Sequence, residues 1–180
     1  VDIERNPRDI SFGRDMYTGE MVYFSSPTPG EANTAPSFSP CVEFSVKGGF
    51  YSSPVTVELS TGDKESVIYY TLDGSTPSTA SRIYESPVTV DRNMTIRAVS
   101  LANGHLTSPP TGQTYFIDFD NKGMAVLSIA VEEKKLFSEH SGIFRDVNGV
   151  KFIPRDTVGA HISYFDPSGE LCVSQDASIG

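Results

Sequence analysis

Tryptophan is absent from this chain of 180 residues, and cysteine occurs only twice. Without tryptophan the strongest flat platform for a sugar ring or a base is missing. Cys41 and Cys172 lie 131 positions apart, a separation that fits no zinc or redox motif. They read as free, small, buried hydrophobes rather than as a disulfide. No apolar run approaches the ~20 residues that span a bilayer, so no membrane span is expected. Positive charge is scarce: 14 lysines and arginines face 23 carboxylates, for a net charge of −9. A surface that neutralises phosphates needs clustered cations, so a nucleic-acid partner is not expected. No leader segment opens the chain, which begins at Val1 in what reads as mid-domain sequence. A piece of a longer protein is expected, and the missing export signal carries no weight.

The usual catalytic motifs are also missing. No Gly-x-Ser-x-Gly elbow occurs to activate a serine. Gly48-Gly49 is followed by Phe50-Tyr51 rather than by Lys and Ser/Thr, so it reads as a hairpin or bulge and not as a phosphate cradle. His105, His140 and His161 are isolated in sequence and read as surface or turn residues. Asp118-Phe-Asp-Asn-Lys-Gly123 begins like a calcium loop, but Lys122 and Ile129 stand where ligand charge and bidentate geometry are needed. An interdomain turn is the better reading, with no metal and no cofactor.

What the chain does have is turns and short alternating runs, with 15 glycines and 12 prolines. Val55, Val57 and Leu59 alternate with polar neighbours. Val67–Leu72 is β-branched and aromatic, and Val88–Val90, Met94–Val99 and Thr114–Ile117 continue the pattern. Thr61-Gly-Asp63, Asp73-Gly-Ser-Thr-Pro77, Asp91-Arg-Asn93 and Ala102-Asn-Gly104 separate the runs. Short strands at this spacing predict a sandwich of about seven strands over 41–117, with a core drawn from Val57, Ile68, Tyr70, Leu72, Ile96 and Ala98. Upstream, Glu20–Phe24 alternates like a strand and Ser26–Asn33 stops it with two prolines and a glycine. Residues 34–40 read as a linker. Downstream, Met124–Val131 reads as a buried strand and Glu132–Phe137 as one helical turn. Val158–Phe165 and Leu171–Val173 read as a hairpin across Asp166-Pro-Ser-Gly169. Residues 118–180 are too few and too sparsely patterned to stand as a domain alone.

The string Tyr69-Tyr-Thr-Leu-Asp-Gly-Ser-Thr-Pro77, with Ile83-Tyr-Glu-Ser-Pro-Val-Thr-Val90 and Met94-Thr-Ile-Arg-Ala-Val99, resembles the chitobiase/β-hexosaminidase C-terminal domain family. The resemblance implies an all-β, immunoglobulin/fibronectin-III-like β-sandwich, with additional strands and a short mixed C-terminal segment contributed by the flanks. It also implies a non-catalytic appendage of multidomain secreted bacterial proteins. Phe12-Gly-Arg14, Val22-Tyr-Phe24 and Pro27–Asn33 resemble the end of a lamin-tail domain. Ala125–Ile129, Leu136-Phe137, Gly142-Ile-Phe144, Ile162–Gly169 and Ser174–Ala177 resemble the opening of a CotH-type (spore coat protein H) kinase-like domain. The implied organisation is lamin-tail-like over 1–33, linker over 34–40, sandwich over 41–117 and CotH-like over 118–180. His161 and Ser178 depart from that kinase-like pattern, and its catalytic positions would fall beyond Gly180, so no enzymatic activity is expected.

Two features remain as candidate sites. Tyr51, Tyr69, Tyr70 and Tyr84 either pack at the core edge with their hydroxyls outward or offer faces to a glycan, with Tyr51, Tyr69 and Tyr84 as the ligand-binding candidates. Asp73, Gly74 and Pro77 form the structural turn: Gly74 takes a positive φ, Pro77 fixes its neighbour as extended, and Asp73 accepts from the backbone and from hydroxyls. The expected function is a spacer or interaction module at the bacterial cell surface or outside the cell. Its expected partners are the neighbouring domains of the parent chain and a cell-surface glycan or protein. An accessory carbohydrate-binding module and a piece of a CotH-like kinase are the alternatives.

Overall fold

The computed structural model describes residues 11–14, 21–24, 38–137, 146–147, 150–151 and 157–179. The readings at Ser26–Asn33, at His140 and at Gly142–Phe144 lie outside the described residues. Strands β1 (Ser11–Arg14) and β2 (Met21–Phe24) pair antiparallel. The sandwich follows as nine short segments: β3 (Glu43–Phe44), β4 (Gly49–Tyr51), β5 (Val55–Val57), β6 (Leu59–Ser60), β7 (Val67–Thr71), β8 (Arg82–Ile83), β9 (Val88–Val90), β10 (Met94–Leu101) and β11 (Thr111–Ile117). β5 and β6 are interrupted only at Glu58. No helix interrupts the span from 41 to 117.

One layer is the sheet β4-β11-β10-β7-β8, and the pairs β3-β6 and β5-β9 lie across the core from it. β4 joins β11 in parallel register, Gly49 opposite Tyr115, so Gly48-Gly49 opens an edge strand and not a hairpin. The alternating residues of both layers meet in one apolar cluster: Val42, Val57, Leu59, Ile68, Val88, Val90, Ile96, Ala98 and Tyr115 are buried. Tyr70 and Leu72 are half-buried against that cluster. Tyr115 Oη donates to Val46 O at 2.8 Å, and burial holds the phenol un-ionised well above its ordinary range. The segment ahead of β3 is already part of this unit: Ser39 is buried, and its hydroxyl donates to Leu106 O at 2.9 Å while accepting from Ala102 N at 2.8 Å.

The rest of the chain adds β12 (Val126–Ala130), α1 (Glu133–Phe137), β13 (Asp146–Val147), β14 (Val150–Lys151), β15 (Val158–Phe165) and β16 (Leu171–Ile179). β12, β15 and β16 form a three-stranded antiparallel sheet. The β15–β16 hairpin turns where Asp166-Pro-Ser-Gly169 predicts it, with Gly169 at φ 87°. β16 runs to Ile179, well past the Leu171–Val173 expected. The reading of Met124–Val131 as a buried strand fails: it is a strand, but Met124, Leu127 and Ile129 are 64, 59 and 48% exposed. Cys41 and Cys172 are free as expected, yet both are exposed rather than buried.

This small sheet covers the outer face of β10 and β11, the face turned away from the sandwich core. β10 is consequently buried on both sides along almost its whole length.

Candidate functional site

Two regions concentrate polar side chains. The first is a groove of about 500 Å³ at the end of β7, lined by Tyr70, Leu72, Asp73, Ser75, Arg82 and Arg92. Its rim is the Asp73–Pro77 turn. Asp73 Oδ1 accepts from Ser75 N at 3.1 Å and from Ser75 Oγ at 2.5 Å. These bonds, the Ser75 hydroxyl first, hold the carboxyl below its ordinary range, and Arg82 adds to the effect. Gly74 sits at φ 77° and is buried. A Cβ there would lie 2.8 Å from the backbone nitrogen of Val131. Glycine is therefore required twice, for its conformation and for the close passage of the chain leaving β12. Pro77 is buried beside it.

The four tyrosines do not share a surface. Tyr51 stands on β4, at one edge of the large sheet, while Tyr69, Tyr70 and Tyr84 lie at the opposite edge. Tyr51 packs on the core and donates its hydroxyl to Lys47 O at 2.6 Å. Tyr70 and Tyr84 meet edge to face at 6.3 Å on the same core. Tyr69 opposes Val99 and Ile83 on the other face of the sheet.

The second region is the seam between the two units. Arg97 is 1% exposed. It donates to Gly74 O at 3.0 Å, to Thr76 Oγ1 at 3.2 Å and to Asp176 Oδ2 at 2.5 Å. One guanidinium thus joins the turn of the sandwich to β16. Its Nε is a buried polar atom without a partner among the described residues, a cost the geometry accepts in order to aim the other nitrogens. Asp176 Oδ1 also accepts from His161 Nδ1 at 2.8 Å, and His161 Nε2 lies 3.1 Å from Ser174 Oγ. His161, expected at the surface, is 2% exposed. Its ring lies flat over Gly112, where a Cβ would come within 2.8 Å of it. The order Ser174, His161, Asp176 has the connectivity of a nucleophilic triad, but the Ser174 hydroxyl donates to Gly112 O at 2.9 Å and the ring is enclosed. The arrangement fastens strands together.

Beside it, Thr95, Thr114 and Ser163 form a buried chain of hydroxyls with 2.9 and 3.0 Å links. At the far end Phe50, Phe116 and Phe165 interlock, with centroids 4.9–5.5 Å apart. Sequence reasoning missed this seam. Its signals were a lone arginine and a glycine inside strand-like runs at Arg97 and Gly112, which alternation alone places facing solvent.

The fold and the Asp-Gly-Ser-Thr-Pro turn define an immunoglobulin-like β-sandwich. More particularly, residues 46–112 match the chitobiase/beta-hexosaminidase C-terminal domain family. A 52-residue stretch is 44% identical to an endoglucanase of Clostridium saccharobutylicum, covering 29% of this chain and 11% of that protein. The chain therefore spans about a tenth of the length of that curated relative. No solved structure gives a significant match. Among the described residues no helix is long and apolar enough to cross a membrane, and no group of three or more histidine, cysteine or acidic residues is placed to hold a metal.

Proposed function

We propose that this chain is a non-catalytic sandwich module that holds the segment after it in a fixed orientation, within a multidomain bacterial protein of the cell surface or exterior. The observation that carries this reading is Arg97, buried at 1% and bonded to Asp176, 79 positions away. A flexible appendage has no need to bury a charge, since an unpaired buried ion costs several kcal/mol. A rigid spacer does need a bond that only one relative placement can satisfy. The resemblance of residues 46–112 to a domain of carbohydrate-active enzymes and the endoglucanase stretch support that setting. In the same reading the sheet β12-β15-β16 is the opening of a CotH-type kinase-like domain, and residues 1–33 end a lamin-tail-like domain. The following domain would then carry any chemistry.

The test uses the two native cysteines, which are free and exposed, one at the start of the sandwich and one on β16. Spin labels at Cys41 and Cys172 should give one narrow distance distribution by double electron–electron resonance. A broad distribution, as wide as for a chain with the seam cut, would refute the rigid-spacer reading.

A further inference from the structure

At the edge of the large sheet opposite the Asp73 turn, two shallow basins of about 220 and 390 Å³ adjoin and share Phe50, Phe119 and Asp120. The first also takes in Tyr51, Ser52 and Asp118, the second Asn121, Ser168 and Gly169. The geometry points to a binding site here for a neutral saccharide, built where the sandwich meets the segment that follows it.

Three observations carry this. Phe119 is 42% exposed, yet its ring is fixed from behind, tilted on Phe116 at 5.2 Å and on Phe50 at 5.9 Å. An exposed aromatic ring already locked by its neighbours is preorganised, so a ligand that covers it need not bear the cost of ordering it. Next, two of the polar groups around the ring are uncommitted. Among the described residues neither the Asp118 carboxylate nor the Ser52 hydroxyl makes a hydrogen bond or ion pair with the protein, although the Asp118 backbone is anchored by its N–H on Tyr51 O at 2.8 Å. Asp120 already accepts from Lys122 N and Lys122 Nζ, at 2.8 and 2.5 Å, which leaves it further lone pairs. An apolar floor ringed by a few placed polar groups is the usual composition of a small-molecule site. A pyranose has the complementary form, a C–H face over the ring and hydroxyls around the rim. Charge then selects among saccharides: Lys122 is paired with Asp120 while Asp118 makes no ion pair among the described residues, in a chain of net charge −9, so uronates and sulfated sugars are disfavoured. Phe119, Asp118 and Asp120 lie outside the 46–112 match, so the site belongs to this junction and not to the sandwich alone.

Affinity electrophoresis of the whole chain in native gels carrying hydroxyethylcellulose, galactomannan or polygalacturonate tests it. At least one of the two neutral polymers should retard the chain and polygalacturonate should not. Phe119→Ala should weaken that retardation at least tenfold, while Arg82→Ala, in the other groove, leaves it unchanged. Should Phe119→Ala fail to fold, Ser52→Arg at an exposed position supplies the same loss by obstructing the basin. Absence of retardation by both neutral polymers, retardation by polygalacturonate, or retardation lost in Arg82→Ala and kept in Phe119→Ala overturns the proposal. The Cys41–Cys172 distance is indifferent to all of these results, so the spacer reading stands or falls separately.

Discussion

The two faces of β10 are both buried, by opposite means. On the inner face Ile96 and Ala98 are 0% exposed in an apolar core. On the outer face Thr95, Arg97 and Val99 are 7, 1 and 2% exposed, under a sheet whose Asp176 bonds Arg97 from 79 positions later. The inner face is held by area removed from water, which tolerates small shifts and carries little directional information. The outer face is held by hydrogen bonds and an ion pair whose geometry admits one placement. The inner face therefore makes the sandwich stable, and the outer face fixes what is attached to it.

The largest expected effect lies on the inner face. Ile96→Ala removes a fully buried side chain from the centre of the core and should cost about 4 kcal/mol, read as a shifted midpoint in urea. The loss should be shared: amide exchange should quicken in β7, β10 and the pair β5-β9 together. A loss below ~1 kcal/mol would show that the core does not rest on this face.

Arg97→Met sharpens the contrast. It keeps most of the volume and removes every donor to Gly74, Thr76 and Asp176. Breaking a buried pair costs roughly 3–5 kcal/mol. The lower end applies here, because the Asp176 side chain keeps 30% of its exposure. The damage should be local. Amides of β15 and β16 should exchange faster while β7 and β9 keep their protection, and the Cys41–Cys172 distance distribution should broaden. Uniform loss across both units would erase the distinction between the faces.

The sequence made one face legible and hid the other for the same physical reason. Alternation at Val55–Leu59, Val67–Leu72 and Met94–Val99 states which residues share a side of a strand. It does not state whether the polar side is wet. Thr95, Arg97 and Thr114 carry a polar pattern, and only a partner from β15 and β16 turns that pattern inward. The converse error occurred at Met124–Val131, where an apolar run reads as buried, yet Leu127 and Ile129 lie on the outer side of the last sheet. The Asp73 turn was readable because its determinants are all local: a short carboxylate, a glycine and a proline within five positions. The Phe119 basin was not, since Phe50, Phe119 and Ser168 are brought together only by packing.

A smaller effect is expected from Thr114→Val. The Thr114 hydroxyl bridges Thr95 and Ser163 in a buried chain, so its removal leaves two hydroxyls short of a partner. The loss should be about 1–2 kcal/mol, and Thr114→Ser should restore most of it. If Val and Ser behave alike, the chain of hydroxyls contributes nothing beyond its volume.

The smallest effect belongs to the Asp73 turn, at the rim and open to solvent. Asp73→Ala removes the acceptor for Ser75 N and Ser75 Oγ and should cost about 1 kcal/mol. Asp73→Asn keeps one oxygen acceptor and should cost less. Protonation provides an independent reading. The folded carboxyl titrates below its ordinary range, first because of the Ser75 hydroxyl and then because of its backbone bond and Arg82. A carboxylate depressed on folding stabilises above its unfolded pKa, and that share disappears as the pH falls through the folded value. Wild-type stability should accordingly decline on the acid side of ~pH 4, the unfolded range of an aspartate, more steeply than that of Asp73→Asn, whose side chain does not titrate. The two curves should converge at the acid end. Parallel curves from neutral pH downward would mean that Asp73 contributes shape alone, and that the turn, like the inner face of β10, is held without a charge.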